Sequence, residues 1–551
     1  MKNRISFAAS SQQRVRAALF TLALGLGACH VTDVVPVDAV AETAVFSDAS
    51  HVALAVTGVY DAAQSGYYNG NNTSAGVRGY PFGAAANEQG DIRGEDVMDV
   101  AGFFAIVYQN SITATSANIV YMWANCYSVI NKANTAIQGV QQASANNIVS
   151  SATALEYEGE LRFLRALSHL ELVVNFSRPY ADGAGNKPGV PYRVSPTNSI
   201  TGTTANATQG RGTVADDYTA MLADLDFAEA NLPATRPTAA YPTATYGTYG
   251  SATRATKGAA IALKQRIRLY QGNWASAITE GNKLVTGTAT FTSPIGNYAL
   301  MGTQRSAFVA GTATAENVFS VENSSADNGG VNGALAAAYA TTATGGRSLI
   351  AISPNLYDAS FFTCNDLRRT VMMQPVTALK IYVTNKYTDA TTYTDFAPII
   401  RYAEVLLNQA EAIARTGGND ALALSMLNAV RNRSVTTTAD QYVAGSLTGT
   451  SLVRAILNER RVEFVGEGLR WGDISRLALD ATYTPLANGG IPAKFLVSQV
   501  TLPSYVCASP ALITGQSQKA LAYTDYRFLW PIPSSETQTN PTLAAQQNPG
   551  Y

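Results

Sequence analysis

The chain has 551 residues, of which 46% are hydrophobic and 14% charged, and its formal net charge is −1. That is apolar surface enough for a large core and too little charge for long disordered tails. It leaves no overall field to draw the protein onto nucleic acid, and no basic stripe reverses that locally.

Lys2, Arg4, Arg14 and Arg16 precede the apolar run "AALFTLALGLGA". The run is about half the ~20 residues that a membrane-spanning helix needs, so residues 1–28 read as an export signal. It ends in Leu26-Gly27-Ala28-Cys29, which is similar to the bacterial lipobox. Small residues there admit signal peptidase, and the Cys29 thiol is the group that takes the lipid. Buried acyl chains contribute ~0.8 kcal/mol per methylene, and more than one chain makes anchoring stable. The expectation is membrane attachment through lipid at Cys29 alone. Cys126, Cys364 and Cys507 remain, an odd number that excludes a fully paired intramolecular framework. Their spacing fits no zinc motif, so they are expected to be small buried hydrophobes. His30, His51 and His169 are too few for a multi-histidine metal centre.

No later segment has the unbroken apolar length of a membrane span. Ser47 and Asp48 cap a helix carrying Val52, Ala55, Val56 and Val59 at helical spacing. "YMWANCYSVINKANTAIQGV" puts Trp123, Tyr127, Ile130, Ala133 and Ile137 on one face. The next helix does the same with Leu161, Leu164, Leu167, His169, Leu172 and Val173, and Pro233 ends the one after it. "AAIALKQRIRLYQGNWASAITEGNKLV" is similar to a tetratricopeptide hairpin, Tyr270 closing the first helix and Trp274 opening the second. A second hairpin turns at Gly417-Gly418. The fold class is mainly α: a tetratricopeptide-like helical-hairpin scaffold over about 40–66, 116–176, 213–286 and 399–477, with long loop insertions and a few short strands. The insertions lie at about 66–115, 180–212, 233–253, 287–395 and 478–530, and loops this long tend to be functional.

The most charged passage is "NERRVEFVGEGLRWGDISRL", Asn458 to Leu477. If residues 454–464 are helical, Glu459 and Glu463 lie one turn apart among arginines, and Gly466 and Gly468 then turn the chain. A general acid needs a carboxylate with a raised pKa, but here arginines flank every acid. The passage reads as a structural ion-pair clamp. Arg401 to Glu404 reads as packing and capping, and Trp123, Trp274 and Trp471 as core or helix-junction residues. No nucleophile elbow, P-loop, zincin or dinucleotide fingerprint stands in a convincing context.

Five blocks recur in one order: "WANCYSVINKANTAI" with "ELRFLRALSHLELVVNFSRPY", "ALKQRIRLYQGNW", "RYAEVLLNQAEA" with "LNAVRNR", "ERRVEFVGEGLRWGDISR", and "LWPIPSSETQTNPTLAAQQNPGY". Together with the lipobox they resemble the SusD/RagB family of outer-membrane nutrient-binding lipoproteins. The resemblance implies a single SusD-like domain over 29–551, exposed on the cell exterior by its lipid anchor. It also implies a non-catalytic receptor that captures an oligosaccharide and delivers it to a TonB-dependent SusC-like outer-membrane transporter. A peptide or protein-fragment receptor is the alternative within the family, and a surface glycan hydrolase is the alternative of another class.

Sugar binding needs flat apolar faces and planar hydrogen-bonding groups. The 66–115 insertion offers faces at Tyr67, Tyr68, Tyr80 and Phe82, with polar forks at Asn87, Asp91, Arg93, Glu95 and Asp96. The 287–395 insertion offers Asn323, Asp327, Asn328, Asn332 and Tyr339. No catalytic residue, cofactor or metal ligand is assigned; loop carboxylates holding calcium find no EF-hand spacing to support them.

Overall fold

A computed structural model describes residues 42–65, 81–236, 250–287, 290–487 and 489–551. Residues 1–28, expected to be an export signal, and Cys29, the expected lipidation site, lie outside them.

Asp48 accepts the backbone N–H groups of Ser50 (2.9 Å) and His51 (3.2 Å), starting α1 at Ala49–Ser65. After α2 (Ala86–Ile92) come two long helices, α3 (Ala117–Ala145) and α4 (Ser151–Phe176). The apolar residues named above on α3 and α4 are all buried, as their 3.6-residue spacing requires. Then follow α5 (Val214–Asn231), α6 (Lys257–Tyr270) and α7 (Trp274–Gly281). The C-terminal part brings α8 (Tyr402–Thr416), α9 (Asp420–Arg431), α10 (Gly449–Glu463) and α11 (Leu469–Leu477). Each helix from α3 to α9 packs on the next, and α1 lies on α3.

Both hairpins turn where the sequence indicates. Thr416 ends α8, Gly417 takes φ +67° at its C-cap, and the Asn419 side chain caps α9 through the Leu422 N–H at 3.0 Å. Close approach of α7 to α8 rests on Gly281, where a Cβ would stand 1.8 Å from Gln409 Oε1.

All the short strands but the last lie in the insertions. β1 (Val97–Asp99), β3 (Ile350–Ile352), β5 (Ile381–Thr384) and β4 (Met373–Val376) form an antiparallel sheet in the order β1-β3-β5-β4. β2 (Asn317–Val321) pairs antiparallel with β6 (Ala397–Arg401), which runs directly into α8. One apolar cluster extends from Val52 on α1 to Leu543 near the C-terminus. No helix among the described residues is long and apolar enough to cross a membrane.

One expectation is corrected. Cys364 and Cys507 are joined by a disulfide across 143 residues of sequence, with Cα atoms 5.3 Å apart. The odd total arises because Cys126 stays free and buried on α3. The bridge ties the 3-10 turns around 497–515 to the segment before β4.

Candidate ligand-binding site

The charged passage folds into a buried ionic network. Arg401 at the end of β6 binds Glu467 (Nε to Oε2, 2.6 Å) and Glu463 (Nη2 to Oε1, 3.0 Å), and also pairs with Glu316. Arg368 bridges Glu459 (2.5 Å) and Asp366 (2.7 Å), Arg433 reaches Glu316 and Glu463, and Lys386 reaches Glu467 at 2.6 Å. Burial raises the Glu463 carboxyl, but Arg433, Arg401 and Arg368 more than offset it and hold it below the usual glutamate value. Asp473, buried between Arg460 and Arg476, is likewise held down at about 2. Each of these carboxylates is bound by arginine or lysine, so the passage fastens α10 and α11 to β6 and the loops.

Most of the polar residues expected to meet a ligand belong to the same frame. Arg93 donates to Asn175 Oδ1 (2.8 Å) and the Phe528 carbonyl (2.7 Å), with its guanidinium 3.3 Å from the Trp471 ring centre. Glu95 binds Arg470 at 2.5 Å, and Asp96 accepts from Arg461 Nε at 3.0 Å. Burial raises the Glu95 carboxyl, yet Arg470 and Arg461 bring it down to about 2. Asp91 accepts the N–H groups of Gly466 (2.5 Å) and Gly468 (3.0 Å). Both glycines have positive φ, and a Cβ on Gly90 would lie 2.1 Å from the Gly468 carbonyl, so α2 sits directly on this turn. Asn87 donates to the Pro398 carbonyl at 3.3 Å, and the buried Tyr339 hydroxyl reaches Asp91 Oδ2 at 3.3 Å. With side chains enclosed and bonded to protein, Asn87, Asp91, Arg93, Glu95, Asp96 and Tyr339 position α2 rather than face a ligand. Ligand contact is the expectation for them; in this structure their polar atoms are taken up by protein groups, most of them hundreds of residues away.

The other expected residues divide. Tyr67, Tyr68 and Tyr80 lie outside the described residues. Asn332 is exposed and accepts from Arg347 at 3.0 Å, while Asn328 closes its own turn on Ser324 and Gly330. Phe82 and Asn323 mark the place where the two insertions meet. Gln64 Nε2 at the end of α1 donates to the Glu322 carbonyl (2.7 Å) and Asn323 Oδ1 (3.1 Å), and Asn323 in turn donates to the Asp395 carbonyl at 2.8 Å.

Above this seam lies a depression of about 180 Å³, lined by Thr57, Tyr60, Asp61, Gln64, Phe82, Thr253, Arg254, Phe319, Val321, Glu322, Ser324 and Asp327. Tyr60, Phe82 and Phe319 give it apolar walls. The half-buried Tyr60 is fixed by its hydroxyl, which donates to Glu160 (2.7 Å) and accepts from the Ala255 N–H (2.9 Å), with Arg254 4.2 Å from its ring centre. Burial and the nearby Asp327 push the Asp61 carboxyl up. Burial also raises Glu322, against a 2.9 Å hydrogen bond from Thr253. The depression therefore offers acceptor-rich carboxylates beside aromatic surface. Tyr60, Asp61 and Gln64 escape a loop-centred reading because they sit on the last turns of a regular helix. The only sequence signal for them is that α1 runs straight into the insertion.

Two family models match this chain: "SusD family" over residues 363–551 and "Starch-binding associating with outer membrane" over 82–269. Together they span more than half of it. The chain belongs to the SusD/RagB family. A curated relative, SusD-like protein P2 of Formosa agariphila, is 23% identical over 391 residues, covering 65% of this chain and 71% of its own. A SusD superfamily crystal structure from Bacteroides fragilis superposes with TM-score 0.71 at 26% identity, over 90% of this chain and 99% of that one. The surface glycan-binding protein A of Bacteroides thetaiotaomicron, in complex with laminarihexaose, shares the fold at 19% identity and TM-score 0.62, over 91% and 99% of the two chains. The helical-hairpin architecture is thus that of the SusD superfamily, and the family is one described as starch-binding and associated with the outer membrane.

Proposed function

We propose that this protein is a non-catalytic, lipid-anchored receptor on the cell exterior, which captures an oligosaccharide and hands it to a TonB-dependent SusC-like transporter. Its mature chain would be the single domain 29–551, held to the outer membrane at Cys29. The observation that carries the reading is the depression where the insertions meet. The half-buried Tyr60 ring stands beside the carboxylates of Asp61, Glu322 and Asp327, over a floor formed by the buried Phe82 and Phe319. Carboxylates accept sugar hydroxyl hydrogens and apolar rings cover sugar C–H faces. The laminarihexaose held by a protein of the same fold supports an oligosaccharide as the ligand class.

One observation favours a second reading. Three carboxylates in one depression also suit the ammonium end of a peptide, the ligand of a peptide receptor of the same architecture.

The test is a binding screen of the chain lacking residues 1–29 against polysaccharides and peptide digests, by affinity electrophoresis and calorimetry. Each hit is re-incubated and searched for cleavage products. Saturable glycan binding without cleavage is the expected result. Peptide binding alone would replace the sugar reading with the second one, and cleavage by pure protein would overturn the non-catalytic assignment.

A further inference from the structure

The largest cavity among those described does not touch the depression. It is a groove of about 820 Å³ between the loop after α4, the start of α5 and the C-terminal strap. That is within the ~300–1,000 Å³ of small-ligand sites. Its bed is rigid. Arg211 uses all its guanidinium donors on the carbonyls of Gly189, Gln546, Phe176 and Pro188 and on Asn548 Oδ1. Asn548 donates in turn to the Phe176 and Trp530 carbonyls.

The charged groups on its rim are unequally occupied. Asp182 accepts the Tyr523 hydroxyl at 2.7 Å, and Asp216 is bound to the N–H and hydroxyl of Thr213 in the capping box of α5. The cations are less fully paired. Arg178 lies 4.5 Å from the Tyr523 ring centre, donates from Nη1 to the Tyr523 carbonyl and also bonds the Tyr523 hydroxyl, but pairs with no carboxylate among the described residues. Lys187 has a side chain 47% exposed and, among the described residues, Asp182 as its one ion-pair partner, at 3.5 Å. A guanidinium without a carboxylate and a half-exposed ammonium on a preformed groove suit an anionic group, which an arginine fork binds in two-point fashion.

We infer that this groove is a second binding site, one that takes an oligosaccharide bearing a carboxylate or sulfate group. The inference rests on the receptor reading for the class of molecule and on the groove's own charges for the rest. Arg178 and Lys187 hold the anion; Tyr523, Leu529 and Pro549 supply the apolar bed.

Calorimetry of the chain lacking residues 1–29 tests it with three probes: trigalacturonate for the carboxylate, a sulfated galactose trisaccharide for the sulfate, and maltotriose as the neutral control. One or both anionic probes are expected to bind, at least tenfold weaker in Lys187→Glu and in Arg178→Gln, and weaker in high salt. The exposed Lys187 makes the first variant safe for folding. The inference is overturned if neither anionic probe binds, or if binding is unmoved by Lys187→Glu. Failure here with neutral glycan still captured at the depression removes only this site. Anion binding at the groove with no glycan bound at the depression would instead remove the receptor reading there.

Discussion

Arg401 holds Glu467 by two parallel bonds, Nε to Oε2 at 2.6 Å and Nη2 to Oε1 at 2.7 Å, with both side chains buried. The pair joins the last residue of β6 to the turn whose N–H groups hold Asp91 of α2, so it sets where the 66–115 insertion meets the helical frame. Removing one partner of a buried pair costs up to about 3–5 kcal/mol, although Arg401 would keep Glu463 and Glu316. Glu467→Gln is therefore expected to lower unfolding stability by up to that amount. The lysine at 386 loses its carboxylate as well. Urea denaturation measures it; a loss under about 1 kcal/mol would show the network to be dispensable.

Glu88 on α2 is a different case, a buried carboxyl whose Oε2 has no hydrogen-bond partner among the described residues. Burial pushes its pKa from the ordinary 4.5 up to about 8, with Arg347 opposing. An acid raised in the folded state favours folding while it is protonated, so this contribution is intact below about pH 4.5 and is lost as pH rises toward 8. Glu88→Gln, which keeps the shape without the ionisation, is expected to stabilise the protein by roughly 2 kcal/mol at pH 8 and to change little at pH 5. Thermal melts at the two pH values decide it. An equal effect at both would mean that the carboxyl is not being neutralised.

The Cys364–Cys507 bridge predicts a redox-dependent stability. Cys507→Ser is expected to cost about 2–4 kcal/mol, with faster backbone hydrogen exchange concentrated around residues 497–515. Treating the native protein with reductant should reproduce the loss. Unchanged exchange in that segment would show that its 3-10 turns are held by other contacts.

The scaffold was largely legible because its signals are local. Apolar spacing marked α3 and α4, Gly417 and Asn419 marked a hairpin turn, and Tyr270 and Trp274 marked another. The charged passage was also readable as a clamp, since each acid has an arginine close by in sequence. What sequence proximity hides is long-range pairing. Arg93 and Asp96 looked available to a ligand because their partners, Phe528 and Arg461, lie 435 and 365 residues away. The disulfide was hidden for the same reason. Asp61, whose one signal is that α1 runs into the insertion, and Glu322, just past a strand, were not legible as a pair because only the fold brings them to one depression.

The most direct test of the central claim is calorimetry of the best glycan hit with Asp61→Asn and Glu322→Gln beside the unaltered chain, with Lys187→Glu as the control outside the depression. A lost hydrogen bond to a charged acceptor is worth about 1.5–3 kcal/mol. Each depression variant is thus expected to weaken binding by roughly tenfold or more while melting as the parent does, and the control should leave a neutral glycan's affinity unchanged. Full affinity in both depression variants would contradict the account and place capture elsewhere on the molecule.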